Sequence, residues 1–309
     1  MPTTVTPRVP VFLAGTTAVG KSEVALLLAE RLGGEIISVD SMQVYRGLDI
    51  GTAKPSAADR ARVPHHLLDV VELTEPFDAA KFVALAREAV RQIQGRGRIP
   101  ILCGGTGLYF KALLDGLGEA PPSDAALRAD LEAAPLTELL RELAARDRAT
   151  FERIDRRNPR RVIRALEVIR LTGKPFSDQR ADWASDKPSS PSPPRFVALS
   201  RGAEDLRRRI DSRVDEMFAR GLVAETRALL RHGLDRNKTA MQAIGYRQVV
   251  QHLNGDLSLA ETIALVKTRT RQFAKRQVTW FRRQSPVMWL EVAAEEPMKE
   301  VAARVLALE

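Results

Sequence analysis

Along its first third the chain alternates short apolar runs with stretches of helical period. VPVFLAG (9–15) reads as a strand, and KSEVALLLAERLG (21–33) spaces its apolar residues as a helix does. EIISVD (35–40) reads as a second strand, AAKFVALAREAVRQIQGRG (79–97) as a helix ending at glycines, RIPILCGG (98–105) as a third strand and LYFKALLDGL (108–117) as a helix. Such alternation predicts a parallel sheet flanked by helices. From residue 121 to about 187 the pattern is helical only, rich in Ala, Leu, Arg, Glu and Asp. SDKPSSPSPPR (185–195) is a Ser/Pro linker. RFVALSR (195–201) returns to a strand, helices are expected over 203–220, 222–232, 241–253, 259–283 and 297–308, and VMWLEV (287–292) is the last strand. The chain therefore reads as an α/β core, 1–119 and 195–309, carrying an all-helical insertion, 120–194. No internal repeat is visible.

The turn between the first strand and the first helix carries the clearest chemistry. Gly15-Thr16-Thr17-Ala18-Val19-Gly20-Lys21-Ser22 matches GxxxxGK[ST] in full and has the required strand–turn–helix context. Its glycines let backbone N–H groups turn inward around phosphate oxygens, and the helix N-terminus adds a favourable dipole. Lys21 brings a charge, and the Ser22 hydroxyl can ligate Mg²⁺. The expected fold is accordingly P-loop NTPase-like. The loop does not say whose phosphates it holds. No apolar run late in the core ends in a convincing second Mg²⁺ carboxylate, since the third strand closes on Cys103-Gly104-Gly105-Thr106, and no lid with paired arginines of the nucleoside-kinase type is evident. Asp40 is the one acid at a strand end facing the loop, placed to assist a metal or to act on a substrate.

Composition narrows the setting. Of 309 residues 44% are hydrophobic, enough for a large core, and no apolar stretch approaches the roughly 18 residues of a membrane span. The N-terminal apolar run leads straight into the glycine loop and reads as a core strand, not a signal peptide. The single cysteine, Cys103, excludes an internal disulfide and a cysteine-based zinc site, fits a reducing cytoplasm, and reads as a small buried hydrophobe. His65 and His66 share a loop with no other ligand at metal spacing, while His232 and His252 fall on separate helices, so none is read as a metal ligand. Nothing demands more than a monomer. The net charge of +9 draws polyanions, and it concentrates in RRNPRRVIR (156–164) and KTRTRQFAKRQVTWFRR (267–283). In the second stretch Arg269, Lys275, Arg276, Arg282 and Arg283 mix with Phe273, Trp280 and Phe281 and with no acid. One face of that helix should pack on the protein and the other should meet solvent or nucleic-acid phosphates.

GTTAVGKS, SVDSMQVYRGLDIGTAKP (38–55), PHHLLDV (64–70) and GGTGLYFKALLDGL (104–117) together resemble the tRNA dimethylallyltransferases, also called tRNA isopentenyltransferases. NPRRVIRALEV (158–168), QAIGYRQ (242–248) and TRQFAKRQVTWFRR (270–283) extend the resemblance over most of the chain. It implies transfer of a dimethylallyl group from dimethylallyl diphosphate to N6 of the adenine 3′ of the anticodon, position 37, in tRNAs reading codons that begin with U. The glycine loop would then hold a diphosphate leaving group, with Mg²⁺. A delocalised exocyclic amine needs a base to take its proton, and Asp40 fits that role by position and by resemblance. The resemblance also implies that Arg209 and Arg213 act with the diphosphate, that Thr106 and Arg128 touch the substrate nucleotide, and that Ser41, Met42 and Gln43 lie beside the target base. Contacts to the anticodon stem-loop are implied for Arg160, Arg161, Val162, Ile163 and Arg164, for Gln242, Ala243, Ile244, Gly245, Tyr246 and Arg247, and for Lys275, Arg276, Gln277, Val278, Thr279, Trp280, Phe281 and Arg282. The target base must leave its stack to reach Asp40, between insertion and core.

Three other readings compete. A small-molecule kinase on the same core would consume ATP or GTP without RNA, and the 38–55 block and the basic helix speak against it. An adenylate isopentenyltransferase would prenylate free AMP, ADP or ATP and would need neither insertion nor basic helix. An RNA-binding protein with a vestigial loop would not need Lys21, Ser22 and Asp40 intact.

Overall fold

The computed structural model describes residues 9–179 and 195–308; nearly all of the expected 185–195 linker lies outside them. Six strands form one parallel sheet: β1 (Val11–Gly15), β2 (Gly34–Val39), β3 (His65–His66), β4 (Ile99–Gly104), β5 (Arg195–Arg201) and β6 (Met288–Val292), in the order β3-β2-β4-β1-β5-β6. Five were expected. The sixth, β3, is a two-residue edge strand pairing with Ile36 and Ile37, too short to show a period, and it replaces the loop expected at His65 and His66. There His66 Nε2 lies 2.7 Å from a Glu35 carboxylate oxygen and His65 Nδ1 lies 2.8 Å from the Val63 carbonyl, so both rings are engaged structurally.

The central strands are buried on both faces, which is why VFLAG reads as an unbroken apolar run. The helices before the insertion are α1 (Lys21–Leu32), α2 (Ala57–Arg62), α3 (Ala79–Gly95) and α4 (Gly107–Asp115). The insertion supplies α5 (Ala125–Ala133), α6 (Leu136–Arg146), α7 (Arg148–Arg153), α8 (Pro159–Thr172) and α9 (Phe176–Gln179). After β5 come α10 (Ala203–Ala219), α11 (Leu222–Arg231), α12 (Tyr246–Leu253), α13 (Leu259–Gln284) and α14 (Met298–Ala307). Val24 and Leu28 of α1 and Val301 and Val305 of α14 join Leu13, Val197 and Leu199 in one core cluster. Phe12, Phe110, Phe196 and Phe281 form an aromatic cluster joining β1, β5, α4 and α13, with ring centroids 5.0–6.4 Å apart.

One expected helix is shorter. The 241–253 pattern gives a single 3₁₀ turn at Ala240–Gln242 and then α12 from Tyr246. Gly245, at φ 102°, takes a left-handed conformation that no helix interior contains, so the chain breaks there.

The backbone divides into two compact units, Met1–Leu113 with Ser190–Glu309, and Leu114–Ser189. The second has its own core of Leu131, Leu139, Leu143, Val162, Leu166 and Ile169. In NPRR, Asn158 caps α8 by accepting from Arg161 N–H, and Pro159 occupies the first turn, where its missing N–H costs nothing. Among the described residues no helix is long and apolar enough to cross a membrane.

Candidate active site

Strand register assembles the site. Ala14 and Val39 both pair with Gly104, so Gly15, Asp40 and Gly105 stand at one level on three adjacent strands, at the carboxyl edge where open α/β sheets bind ligands. Two strand spacings, about 10 Å, separate the start of the phosphate loop from Asp40.

In the loop, three carbonyls are held by cationic side chains. Thr16 O accepts from Lys21 Nζ (2.5 Å), Ala18 O from Arg209 Nε (3.1 Å) and Val19 O from Arg201 Nε (2.9 Å). The first N–H groups of α1 have no intrahelical partner and remain for an anion. Gly20 caps α1 at φ 108°, and a Cβ there would lie 2.8 Å from Met298 Sδ. Arg201 was not anticipated. Its side chain is fully buried, binding Asp205 (2.8 Å) and the carbonyls of Ala293 (2.9 Å) and Ala294 (3.4 Å) besides the loop. The only hint in the sequence is a cation closing an apolar strand.

Asp40 Oδ1 accepts from Met42 N (2.8 Å) and Gln43 N (3.2 Å), an Asx turn that fixes the carboxylate and leaves Oδ2 open. Thr106 Oγ1 accepts from Ser41 N (3.2 Å), tying the β4 end to this turn. Gln43 departs from expectation. Its Oε1 accepts from Ser38 Oγ (2.9 Å) and its Nε2 donates to Thr52 O (3.1 Å) and Ala53 O (3.4 Å), so both ends of the amide hold the protein instead of facing a base. The DIGTAKP loop is pinned by Lys54, whose buried ammonium donates to Tyr45 O, Asp49 and Asp69. It is pinned again from outside. Glu225 accepts from Ile50 N–H, and Tyr246 OH donates to Glu225 (2.6 Å) while accepting from Gly51 N–H (3.0 Å).

Charge is concentrated beside the loop. Burial pushes the Lys21 ammonium down to about 8; nearby Arg213 lowers it too, and Asp40 opposes both. Burial also lowers the Arg213 guanidinium, again against Asp40, though it stays cationic at any physiological pH. Lys21, Arg213 and Asp40 thus feel one another's charge. Cys103 behaves as the small buried hydrophobe expected: burial pushes its thiol up to about 11. A cavity of about 450 Å³ opens beside Ser22, lined by Leu26, Ile36 and Cys103 and also by Glu23, Asp59 and Arg62.

The other expected contact residues separate by exposure. Arg160, Arg161, Gln242, Arg247, Lys275, Arg276, Thr279 and Arg282 are exposed, while Ile244, Val278 and Trp280 are half-buried. Val162, Ile163, Ala243, Tyr246, Gln277 and Phe281 are at most 7% exposed. Their side chains are closed off from solvent, because they are the packed faces of α8, α12 and α13 and of the turn before α12. Arg128 and Arg164 are half-buried against Glu167, which lies within 3.5 Å and 2.8 Å of them; Arg164 also donates to Pro121 O. Around Trp280, a groove of about 480 Å³ is edged by Lys275, Arg276 and Arg283.

Among the described residues no group of three or more His, Cys, Asp or Glu could cage a metal. Mg²⁺ keeps waters and is held by few protein oxygens together with substrate phosphates. The exposed Ser22 hydroxyl at the start of α1 and Asp40 Oδ2 are two oxygens at this edge that could hold it.

Comparison with known proteins bears on the same residues. A family model described as IPP transferase matches residues 43–284. The chain belongs to this family. It is 48% identical over 288 residues to tRNA dimethylallyltransferase 1 of Trichlorobacter lovleyi, covering 92% of this chain and 93% of that one. It is likewise 48% identical over 290 residues to the tRNA dimethylallyltransferase of Geobacter metallireducens, covering 91% and 92%. The crystal structure of a full-length tRNA isopentenylpyrophosphate transferase from Bacillus halodurans superposes with a TM-score of 0.70 at 37% identity, covering 98% of this chain and 96% of that one. A eukaryotic dimethylallyltransferase captured acting on tRNA gives 0.77 at 29% identity, covering 92% and 74%. For a member of the IPP transferase family, the parallel sheet with its glycine loop is the expected scaffold. The matched span runs from Gln43 to the end of α13, so it takes in the DIGTAKP loop and the basic helix.

Proposed function

We propose that the protein transfers the dimethylallyl group of dimethylallyl diphosphate to N6 of adenine 37, next to the anticodon, in tRNAs reading codons that begin with U. The observation that carries this reading is the shared level of the phosphate loop and Asp40, about 10 Å apart, with Lys21 and Arg213 beside them. The diphosphate lies on the N–H groups of residues 17–22, excepting Thr17 N–H, which Gln277 takes. Lys21 and Arg213 stabilise the charge that grows on its oxygens as the C1–O bond breaks. Arg209 steadies the loop through Ala18 O. As the new C–N bond forms, Asp40 Oδ2 takes one N6 proton, and diphosphate leaves. Ser22 Oγ would hold Mg²⁺, which when bound neutralises part of the diphosphate charge.

The exposed cations of α8 and α13 suit the phosphates of an anticodon stem-loop, and the Trp280 groove suits an unstacked base. The helical unit Leu114–Ser189 is proposed to contact tRNA in its own right.

The test incubates the protein with Mg²⁺, labelled dimethylallyl diphosphate, and tRNA or AMP. Label entering tRNA alone is expected. Label in AMP would point instead to a free-nucleotide prenyltransferase, and ATP turnover to a kinase. Arg276→Ala is expected to weaken tRNA binding about equally across sequences and to reduce the slope of log affinity against log salt by about one. Titration at several salt concentrations measures this, and an unchanged slope would mean that Arg276 touches no phosphate.

A further inference from the structure

One side chain joins the two halves of the site. Gln277 Oε1 accepts from Thr17 N–H in the phosphate loop (3.0 Å), and its Nε2 donates to the Gly105 carbonyl (3.0 Å). The residue is 7% exposed, so water competes for neither bond. Gly105 is the notch that admits it, since a Cβ there would lie 2.3 Å from Gln277 Nε2. One turn further along α13, Trp280 fills a second notch, where a Cβ on Gly107 would lie 2.1 Å from the indole. The two alternate glycines of GGTG are thus stereochemical partners of two residues on the basic helix.

The bonded path continues. Gly105 stands level with Gly15 and Asp40, and the next residue, Thr106, accepts from Ser41 N–H in the turn that presents Asp40. Phosphate loop and acceptor turn are therefore tied together through Gln277, Gly105 and Thr106.

We infer that Gln277 is a positioning residue that sets the spacing of the diphosphate loop against the Asp40 turn and does not read RNA. The inference rests on the prenyl-transfer reading of the site. A neutral side chain that accepts at one end and donates at the other is what the two facing backbone groups require. Met has the same length, cannot donate and accepts only weakly. Glu still accepts from Thr17 N–H but sets a carboxylate against the Gly105 carbonyl.

Steady-state transfer to an anticodon stem-loop, measured for wild type, Gln277→Met and Gln277→Glu and normalised to folded protein, tests the assignment. Misplacement of reacting groups by about 1 Å can lower a rate about 10²-fold, so Gln277→Met should lower kcat by about 10- to 100-fold, with the stem-loop KM within about twofold of wild type. Gln277→Glu, which keeps one of the two bonds, should fall between. A stem-loop KM raised about tenfold with kcat unchanged would make Gln277 a reader of RNA. Lower melting temperatures with kcat and both KM values unchanged would make it a packing residue only. Either result overturns the inference. If Gln277→Met does not fold, Gln277→Glu with separate titrations of inorganic diphosphate and stem-loop gives the same decision: weakened diphosphate and unchanged stem-loop binding supports the assignment, the reverse refutes it. Failure of the wild type to label the stem-loop would instead remove the prenyl-transfer reading itself.

Discussion

Asp40→Asn is expected to slow prenyl transfer by about 10²–10⁴-fold while leaving tRNA affinity within about twofold. The asymmetry follows from the two oxygens. Oδ1 holds the turn by accepting from Met42 and Gln43 N–H, and an Asn oxygen can do the same. In the proposed reaction Oδ2 takes the N6 proton, and an amide cannot take it. Asp40→Ala removes both functions, so it should lose the turn as well as the base. Single-turnover transfer, alongside filter binding of labelled tRNA, separates the two effects. Full activity in Asp40→Asn would remove Asp40 as the base, and tRNA affinity lost in step with rate would make it a recognition residue.

Lys21→Met should cost transfer about 10²–10³-fold, the size of effect seen when one donor to a developing oxyanion is deleted in a shielded site. The pH dependence of binding gives a sharper test. Burial holds Lys21 at about 8, against 10.5 for a solvated lysine. Between those values the folded chain carries fewer protons at this group than the unfolded chain. Its contribution to stability therefore rises with pH across that window, because the penalty of burying the charge disappears. Diphosphate binding selects the charged form. Affinity should be insensitive to the ionisation of Lys21 below pH 8 and should fall by up to about tenfold per pH unit above it, with proton uptake on binding. Calorimetry with inorganic diphosphate between pH 7 and 9.5, in buffers of different ionisation enthalpy, measures both. Lys21→Arg keeps its charge throughout this range and should abolish the dependence. An identical pH profile in wild type and Lys21→Arg would rule Lys21 out as its source.

Much of this molecule is written locally. GTTAVGKS declares its turn because strand, glycines and helix start are contiguous. Both-face burial makes the central strands apolar throughout, so their parallel arrangement is readable from single runs such as VFLAG and IPILCG. Asp40 follows from the same logic, as an acid immediately after a buried strand. Local pattern fails where an element is too short to have a period, as at His65–His66, or where one glycine ends a helix, as at Gly245.

Side-chain roles beyond the loop were decided by packing. The resemblance implied that Gln43 lies beside the target base and that Gln277 and Tyr246 contact tRNA; in the fold, all three side chains bind the protein's own backbone. Arg201, Glu225 and Gln277 find their partners 182, 175 and 260 residues away. An amphipathic pattern states which face of a helix is buried. It does not state which distant N–H or carbonyl that face will meet, because that depends on how elements far apart in the chain are laid against one another. The sequence alone therefore determined the sheet, the phosphate loop and the strand-end acid, and only the tertiary structure decided which polar residues hold them in place.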